Sequence, residues 1–190
     1  MTEAPLHIAV VRTDRLGDMI LTLPMFRALR SRFPYARLTL ITREYVRPLV
    51  HDADAADNVV YTDTDSRSLR TILREENIDT VFFPRPRVSD VLAALGAGVR
   101  RRIGSGYRWY SLLFTSRVKD HRSDAAFHEA EYNVRMISHA FGGEQPAVKL
   151  VSPRHENTAT KSDPPWVIIH PGSGGSACDW PAQRFGMLAR

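Results

Sequence analysis

Residues 6–24 have the sequence LHIAVVRTDRLGDMILTLP, in which a short apolar run is followed by a polar turn and then by a helical pattern. The apolar run predicts a buried strand over residues 6–11. Apolar residues recur with helical spacing from Met19 to Phe33, which predicts a helix over residues 18–33. A strand that leads directly into a helix opens a βαβ unit, and it therefore predicts an α/β fold.

The same alternation continues to about residue 143. Further strands are predicted at residues 37–42, 58–61, 80–83 and 101–103, and further helices at 44–50, 66–76, 88–97 and 125–141. Ser66 or Asp65 is the expected cap of the 66–76 helix, and Gly142 with Gly143 ends the last one. Strands and helices that alternate at this spacing predict a Rossmann-like, doubly wound parallel sheet.

The composition changes after residue 143. Residues 144–165 are rich in Pro, Ser, Thr and charge and predict a linker. Residues 166–190 begin with the strand pattern WVIIH, continue with the loop PGSGGSACD, and stop inside a helical pattern. Because a strand, a loop and part of a helix cannot bury a core, we expect a second Rossmann-like domain of which only the beginning is present. The chain is then a fragment or a truncated reading frame.

The chain is basic, with a formal charge of +5, and 23 of its 26 basic residues are arginine. Arginine binds phosphate and carboxylate through two parallel hydrogen bonds, so a nucleotide-sugar, an anionic lipid head group or a nucleic acid fits as a partner. Solvated arginines that follow from genome composition fit equally. No apolar run is long enough to cross a bilayer and no signal peptide precedes the first strand, which predicts a cytoplasmic protein.

The turn after the first predicted strand is the first candidate site. It has a single glycine, Gly17, so it lacks the G-x-G-x-x-G pattern of a dinucleotide site, and the chain has no G-K-[ST] sequence. What remains is Asp18, a carboxylate at a glycine turn where a helix starts. It is either a general base toward a substrate hydroxyl or a first-turn acid favoured by the helix dipole. The residues alone favour the second interpretation.

A second candidate site is the glycine-rich loop at residues 171–179. Its backbone N–H groups, two serine hydroxyls and the following helix N-terminus form the kind of site that holds a diphosphate without a metal, although a flexible turn has the same composition. Arg85 and Arg87 follow the fourth strand and are candidates for binding an anion. Residues 100–102 and 107–110 are basic and aromatic, which fits an anionic saccharide site or stacking on nucleobases, although a solvated loop is favoured. His128 is expected to cap or pack a helix.

Two segments taken together resemble the heptosyltransferases, glycosyltransferase family 9. VVRTDRLGDMILTLPMFRALRSRFPYARLTLIT is similar to the opening of that family's first domain, and VIIHPGSGGSACDWPAQRFGMLA to the opening of its second. FHEAEYNVRMI resembles a helix of the family. The resemblance implies a GT-B fold, with acceptor binding in residues 1–143 and donor binding from residue 166. The implied reaction transfers a heptose from ADP-heptose to the inner core of lipopolysaccharide, with inversion and without a metal or other cofactor.

The resemblance also implies roles for particular residues. Asp18 corresponds to the catalytic base, and the donor phosphates are expected at Ser173, Gly174, Gly175 and Ser176. The acceptor, an anionic lipid-linked saccharide, is expected at Arg15, Arg85 and Arg87, and it implies peripheral contact with the inner face of the cytoplasmic membrane.

The sequence departs from the family pattern at Cys178, where a basic residue is usual. This departure, with the missing half, leaves a non-catalytic saccharide-binding remnant as the alternative, and the chain alone is not expected to turn over. A nucleic-acid-binding domain is disfavoured because no RNP, helix-turn-helix or KH pattern occurs.

Overall fold

The computed structural model describes residues 6–50, 56–148, 167–170, 172, 178 and 180–189. Strands and helices alternate along the first two ranges. In chain order they are β1 (His7–Val11), α1 (Leu16–Ile20), α2 (Leu23–Arg32), β2 (Arg37–Thr42), α3 (Arg47–Val50), β3 (Asn58–Tyr61), α4 (Leu69–Glu75), β4 (Thr80–Phe82), α5 (Val88–Gly96), β5 (Arg101–Ser105), β6 (Ser116–Val118) and α6 (Glu129–Phe141). Single 3-10 turns occupy Glu44–Val46, Ser111–Leu113 and Arg122–Asp124.

The strands form one sheet in the order β3-β2-β1-β4-β5-β6, and every neighbouring pair is parallel. This confirms the predicted Rossmann-like, doubly wound sheet. The strand order reverses at β1, where Ile8 pairs with Leu38 of β2 on one side and with Thr80 of β4 on the other. The connections that leave β1 and β4 diverge to opposite faces there, and such a switch point is where open α/β sheets bind ligands.

Both faces of the sheet are covered, and β1 shows how the sequence divides between them. Ile8 and Val10 belong to the core cluster that α1, α2 and α6 complete, whereas Ala9 and Val11 belong to the cluster under α4 and α5. A strand buried on both faces has a continuous apolar run, which explains why residues 7–11 show no polar alternation.

The single helix predicted over residues 18–33 is wrong, because the chain forms two helices with a break at Leu21 and Thr22. Pro24 explains the break. It has no N–H to donate to the carbonyl of Ile20, and its ring would clash with that carbonyl in a continuous helix. The N–H of Met25 instead donates to Thr22 at 3.0 Å, so the second helix starts afresh.

Two other local expectations change. Ser68 caps α4 by accepting a hydrogen bond from the N–H of Thr71 at 3.2 Å, so the expected cap at Ser66 or Asp65 is wrong. The last helix of the sheet domain starts at Glu129 rather than residue 125, because His128 closes a capping box with Glu131. This confirms the capping role expected of His128. Strand β6 is too short, at three residues, to have been predicted from periodicity.

The chain divides into two compact units, Met1–Arg154 and His155–Arg190. The described residues of the second unit include one helix, α7 (Ala182–Leu188), against which Trp180 packs its ring edge-on to Phe185 at 5.0 Å. The domain boundaries at residues 143 and 166 stay a prediction.

Candidate functional site

An open cavity of about 320 Å³ lies at the carboxyl edge of the sheet, at the switch point between β1 and β4. The loops after β1, β4 and β5 supply most of its wall, and the region before α6 closes it. The lining residues are Arg12, Asp14, Asp18, Pro84, Arg85, Pro86, Ser105, Arg108, Arg122 and Glu129. Four arginines face three carboxylates, so the wall carries one net positive charge.

Arg12 is a buried arginine that contacts both aspartates of the cavity wall. It continues the line of β1, its N–H donates to the carbonyl of Ile41 at 2.9 Å, and its side chain is only 3% exposed. Its Nε lies 2.6 Å from Oδ1 of Asp14, and its Nη2 lies 2.9 Å from Oδ1 of Asp18. A buried guanidinium needs this compensation, because an isolated charge is costly to remove from water.

Asp14 is the buried member of the two aspartates, with a side chain that is 6% exposed. Arg12 meets its first oxygen, and Nη1 of Arg85 donates to Oδ2 at 3.0 Å. Burial opposes ionisation, but the charge of Arg12 and the hydrogen bond from Arg85 outweigh it, so the pKa of Asp14 lies below its ordinary value. The hydroxyl of Tyr45 donates to the backbone carbonyl of Asp14. Asp14 is therefore a fixed carboxylate with both oxygens engaged.

Asp18 differs from Asp14 in its exposure and in the number of its ion-pair partners. It lies in the first turn of α1, its side chain is 30% exposed, and Arg12 is its one ion-pair partner among the described residues. No side chain caps α1, whose N-cap position is Arg15, so Asp18 is a first-turn acid and not the capping residue. Of the two aspartates, Asp18 is the one with an oxygen available to a ligand in the cavity.

One guanidinium group of the cavity wall, that of Arg108, has no partner among the described residues. Within the described residues, the buried Nη1 of Arg12 donates no hydrogen bond, and the Arg108 side chain forms no hydrogen bond or ion pair. Arg122 is different, because its Nη1 pairs with Glu129 and its Nη2 donates to the Asn133 side chain at 3.1 Å. The Arg108 guanidinium therefore gives the cavity a donor group for an anionic ligand.

The structure brings together two of the residues singled out in the sheet domain. Asp18 and Arg85 line the cavity, whereas Arg15 and Arg87 are exposed at the N-caps of α1 and α5 and lie outside its wall. Ser173, Gly174, Gly175 and Ser176 lie outside the described residues.

Gly17 is helical and has no positive φ, and a Cβ there would meet nothing within 4 Å. The expected glycine turn before Asp18 is therefore wrong.

Sequence reasoning missed most of the wall. Arg12 and Asp14 lie in the quoted stretch, and their position directly after a buried strand was the signal that could have identified them. Arg122 and Glu129 come from a 3-10 turn and the start of α6, far along the chain, and no local pattern marks them. Of the basic and aromatic stretch, Arg108 reaches the cavity, whereas buried Tyr110 donates its hydroxyl to the carbonyl of Pro86 at 2.8 Å.

In the described part of the chain, no three His, Cys, Asp or Glu side chains come together as metal ligands would. No helix among the described residues is long and apolar enough to cross a membrane.

No family model matches the chain. A Haemophilus influenzae protein named "Putative glycosyltransferase" is 23% identical over an alignment 206 positions long, which covers 96% of this chain and 59% of that protein. A glycosyl transferase family 9 structure from Veillonella parvula superposes with a TM-score of 0.62 at 20% identity, covering 74% of this chain and 42% of that one. The Escherichia coli heptosyltransferase WaaC, solved with ADP, superposes with a TM-score of 0.61 at 16% identity over 75% and 49%.

The chain has the fold of the family 9 glycosyltransferases. This match confirms the predicted fold class. The solved structures that match the chain include a heptosyltransferase, in agreement with the resemblance seen in the sequence. The chain spans about three fifths of the curated relative and under half of each of these two solved structures.

Proposed function

We propose that this chain is the acceptor-binding part of a heptosyltransferase-type glycosyltransferase, with Asp18 as the catalytic base. The observation that carries the proposal is the position of Asp18: a partly exposed carboxylate at the switch point, in a cavity that is also lined by Arg108, whose side chain has no partner among the described residues. A general base must reach the hydroxyl that it deprotonates, and an anionic saccharide held by Arg108 in this cavity would place its hydroxyls beside Asp18. The similarity to a heptosyltransferase solved with ADP supports a nucleotide-sugar donor.

The proposed reaction is a single inverting displacement. The acceptor oxygen attacks the anomeric carbon of an ADP-heptose, and its proton passes to Asp18. The bond from that carbon to the diphosphate oxygen breaks, and ADP leaves with the bonding electron pair. Ser173, Gly174, Gly175 and Ser176 are proposed to hold the diphosphate through hydroxyl and backbone N–H donors, without a metal or other cofactor.

Acceptor binding is the first test, because every residue that lines the proposed cavity belongs to the sheet domain. Binding of deacylated lipopolysaccharide inner-core oligosaccharide to the 190-residue chain is measured by calorimetry. Arg108→Gln is expected to weaken binding about tenfold, since it removes a charge-assisted hydrogen bond. Arg87→Gln is the matched control, an exposed arginine outside the cavity wall, and is expected to bind as the unmodified chain does. Equal effects of the two substitutions would refute the assigned cavity.

Transfer is the second test, and we propose that it requires the rest of a donor domain. In a protein that joins this chain to such a domain, Asp18→Asn is expected to slow heptose transfer at least a hundredfold. Asp90→Asn is the matched control, because Asp90 is likewise a first-turn acid, in α5, and lies outside the cavity wall. Retained transfer in Asp18→Asn would remove Asp18 as the base.

The alternative is a saccharide-binding remnant without catalysis. The observation in its favour is Cys178, an exposed thiol where the family pattern has a cation that would face the diphosphate. Oligosaccharide binding together with no transfer in the joined protein, and recovery of transfer in Cys178→Lys, would identify a remnant.

A lipid-linked acceptor also implies peripheral contact with an anionic membrane. Residues 85–119 contain eight basic residues and one acid, and within them Trp109 and Leu112 are 83% and 77% exposed. Aromatic and apolar side chains among arginines suit the headgroup region of a bilayer. Cosedimentation with phosphatidylglycerol vesicles, and not with phosphatidylcholine vesicles, is expected for the chain and is expected to fall in Trp109→Ser.

A further inference from the structure

Asn133 is a fully buried polar residue in the middle of α6, behind the cavity and outside its wall. Val134, Met136 and Ile137 around it in the helix are buried apolar residues of the core. An apolar side chain would suit packing at this position, because burying an amide is unfavourable unless its hydrogen bonds are formed. The contacts of Asn133 therefore indicate what the amide does.

One end of the amide binds the break between α1 and α2. Its Nδ2 donates to the carbonyl of Leu21 at 2.9 Å and lies 3.5 Å from Oγ1 of Thr22. That hydroxyl in turn donates to the backbone carbonyl of Asp18 at 2.8 Å. The break caused by Pro24 leaves these carbonyls without their usual helical partners, and Asn133 and Thr22 supply the replacements.

The other end of the amide binds a residue of the cavity wall. Its Oδ1 accepts a hydrogen bond from Nη2 of Arg122 at 3.1 Å. The remaining Nη1 of Arg122 pairs with Glu129, so the guanidinium is held at two points. Asn133 thus has a cavity residue on one side and the segment that carries Asp18 on the other.

We propose that Asn133 is a positioning residue that fixes the segment carrying Asp18 relative to Arg122, and thereby the shape of the acceptor cavity. The inference rests on the proposed function for its effect on ligand binding. Its structural part is independent of that function. A buried amide whose oxygen and nitrogen are both hydrogen-bonded accepts one arrangement of its neighbours, whereas apolar contacts tolerate small shifts.

The test compares Asn133→Leu with Ile137→Ala, a matched control that weakens the packing of the same helix without touching the polar contacts. Hydrogen exchange is measured at the amides of residues 18–22. Affinity for the deacylated inner-core oligosaccharide is measured at a temperature where both variants are folded. Asn133→Leu is expected to exchange faster at residues 18–22 and to bind about tenfold more weakly, and Ile137→Ala to do neither.

A second comparison separates positioning from general stability. In an Arg122→Gln background, Asn133→Leu is expected to cause much less than a tenfold further loss of affinity, because one of the two contacts that it links is already gone. A full additional tenfold loss would overturn the proposal, and so would equal affinities of Asn133→Leu and Ile137→Ala. If the unmodified chain binds no oligosaccharide, the proposed function fails. Unchanged exchange at residues 18–22 would then overturn the positioning role as well, whereas faster exchange confined to them would support it.

Discussion

Replacing Asp14 with Asn removes the carboxylate that compensates the buried guanidinium of Arg12. Both side chains are nearly inaccessible, at 6% and 3% exposure, so water cannot replace the lost charge. Breaking a buried ion pair from one side costs about 3–5 kcal/mol, and we expect about 3 kcal/mol because the amide still accepts a hydrogen bond. Asp18→Asn breaks the second contact of Arg12, but that carboxylate is 30% exposed, and we expect about 1 kcal/mol or less.

The effect of Asp14 depends on pH in a direction that follows from its lowered pKa. A carboxyl with a folded-state pKa below its unfolded value of about 3.9 adds stability above that value, and the contribution is lost as the pH falls through the folded-state pKa. The difference between the unmodified chain and Asp14→Asn should therefore be constant from neutral pH to about pH 5. It should become smaller below about pH 4.

Urea unfolding followed by far-ultraviolet circular dichroism measures these free energies, with Asp18→Asn as the matched control. The expected order is a large loss for Asp14→Asn and a small loss for Asp18→Asn at pH 7. The reasoning would be refuted if the two variants were equally stable, or if the deficit of Asp14→Asn persisted unchanged at pH 3.

Three further predictions concern the sheet and its helices. Gly104→Ala should lower the free energy of unfolding by about 3 kcal/mol or prevent folding, because its Cβ would lie 2.3 Å from the Phe114 ring. A melting temperature within a degree or two of the unmodified chain would contradict this prediction. Burial lowers the pKa of His7 more than its hydrogen bond to the Glu76 carbonyl raises it. The unfolded state therefore binds a proton at a higher pH than the folded state does, and the free energy of unfolding falls as the pH drops below about 6.5. His7→Gln should show a shallower fall between pH 7 and 5 in urea titrations, and an unchanged slope would contradict the assignment. Ser68→Ala should cost about 1 kcal/mol in the same assay and Ser66→Ala close to none, whereas the reverse order would contradict the observed cap.

The fold could be predicted from the sequence because its elements are local. Each central strand is a continuous apolar run, and the helices between the strands have regularly spaced apolar residues. The alternation of strands and helices can therefore be recognised from a single sequence. The break before Pro24 was also accessible, since proline in a helix interior has a known consequence. It was missed because the apolar spacing continues through it and suggests a single helix.

The site was predicted less completely because its residues are brought together by topology. Asp18 and Arg85 follow strands that lie side by side, and a general rule about the carboxyl edge identifies them. Arg122 reaches the same cavity from a 3-10 turn after β6, a strand of three residues that periodicity does not reveal. The register of that edge depends on tertiary packing, such as the contact of Gly104 with Phe114, and no local pattern encodes it.

The structure also resolves which of two neighbouring aspartates is suited to chemistry. Asp14 and Asp18 both contact Arg12, but Asp14 has an arginine at each oxygen and is sealed from solvent, so a proton from a substrate cannot reach it without displacing an ion pair. Asp18 has one such contact and an exposed edge. Asp14 therefore holds Arg12 and Arg85 in place, and Asp18 remains accessible. The two substitutions should separate these roles: loss of Asp14 lowers stability first, whereas loss of Asp18 leaves a nearly stable protein that lacks the proposed base.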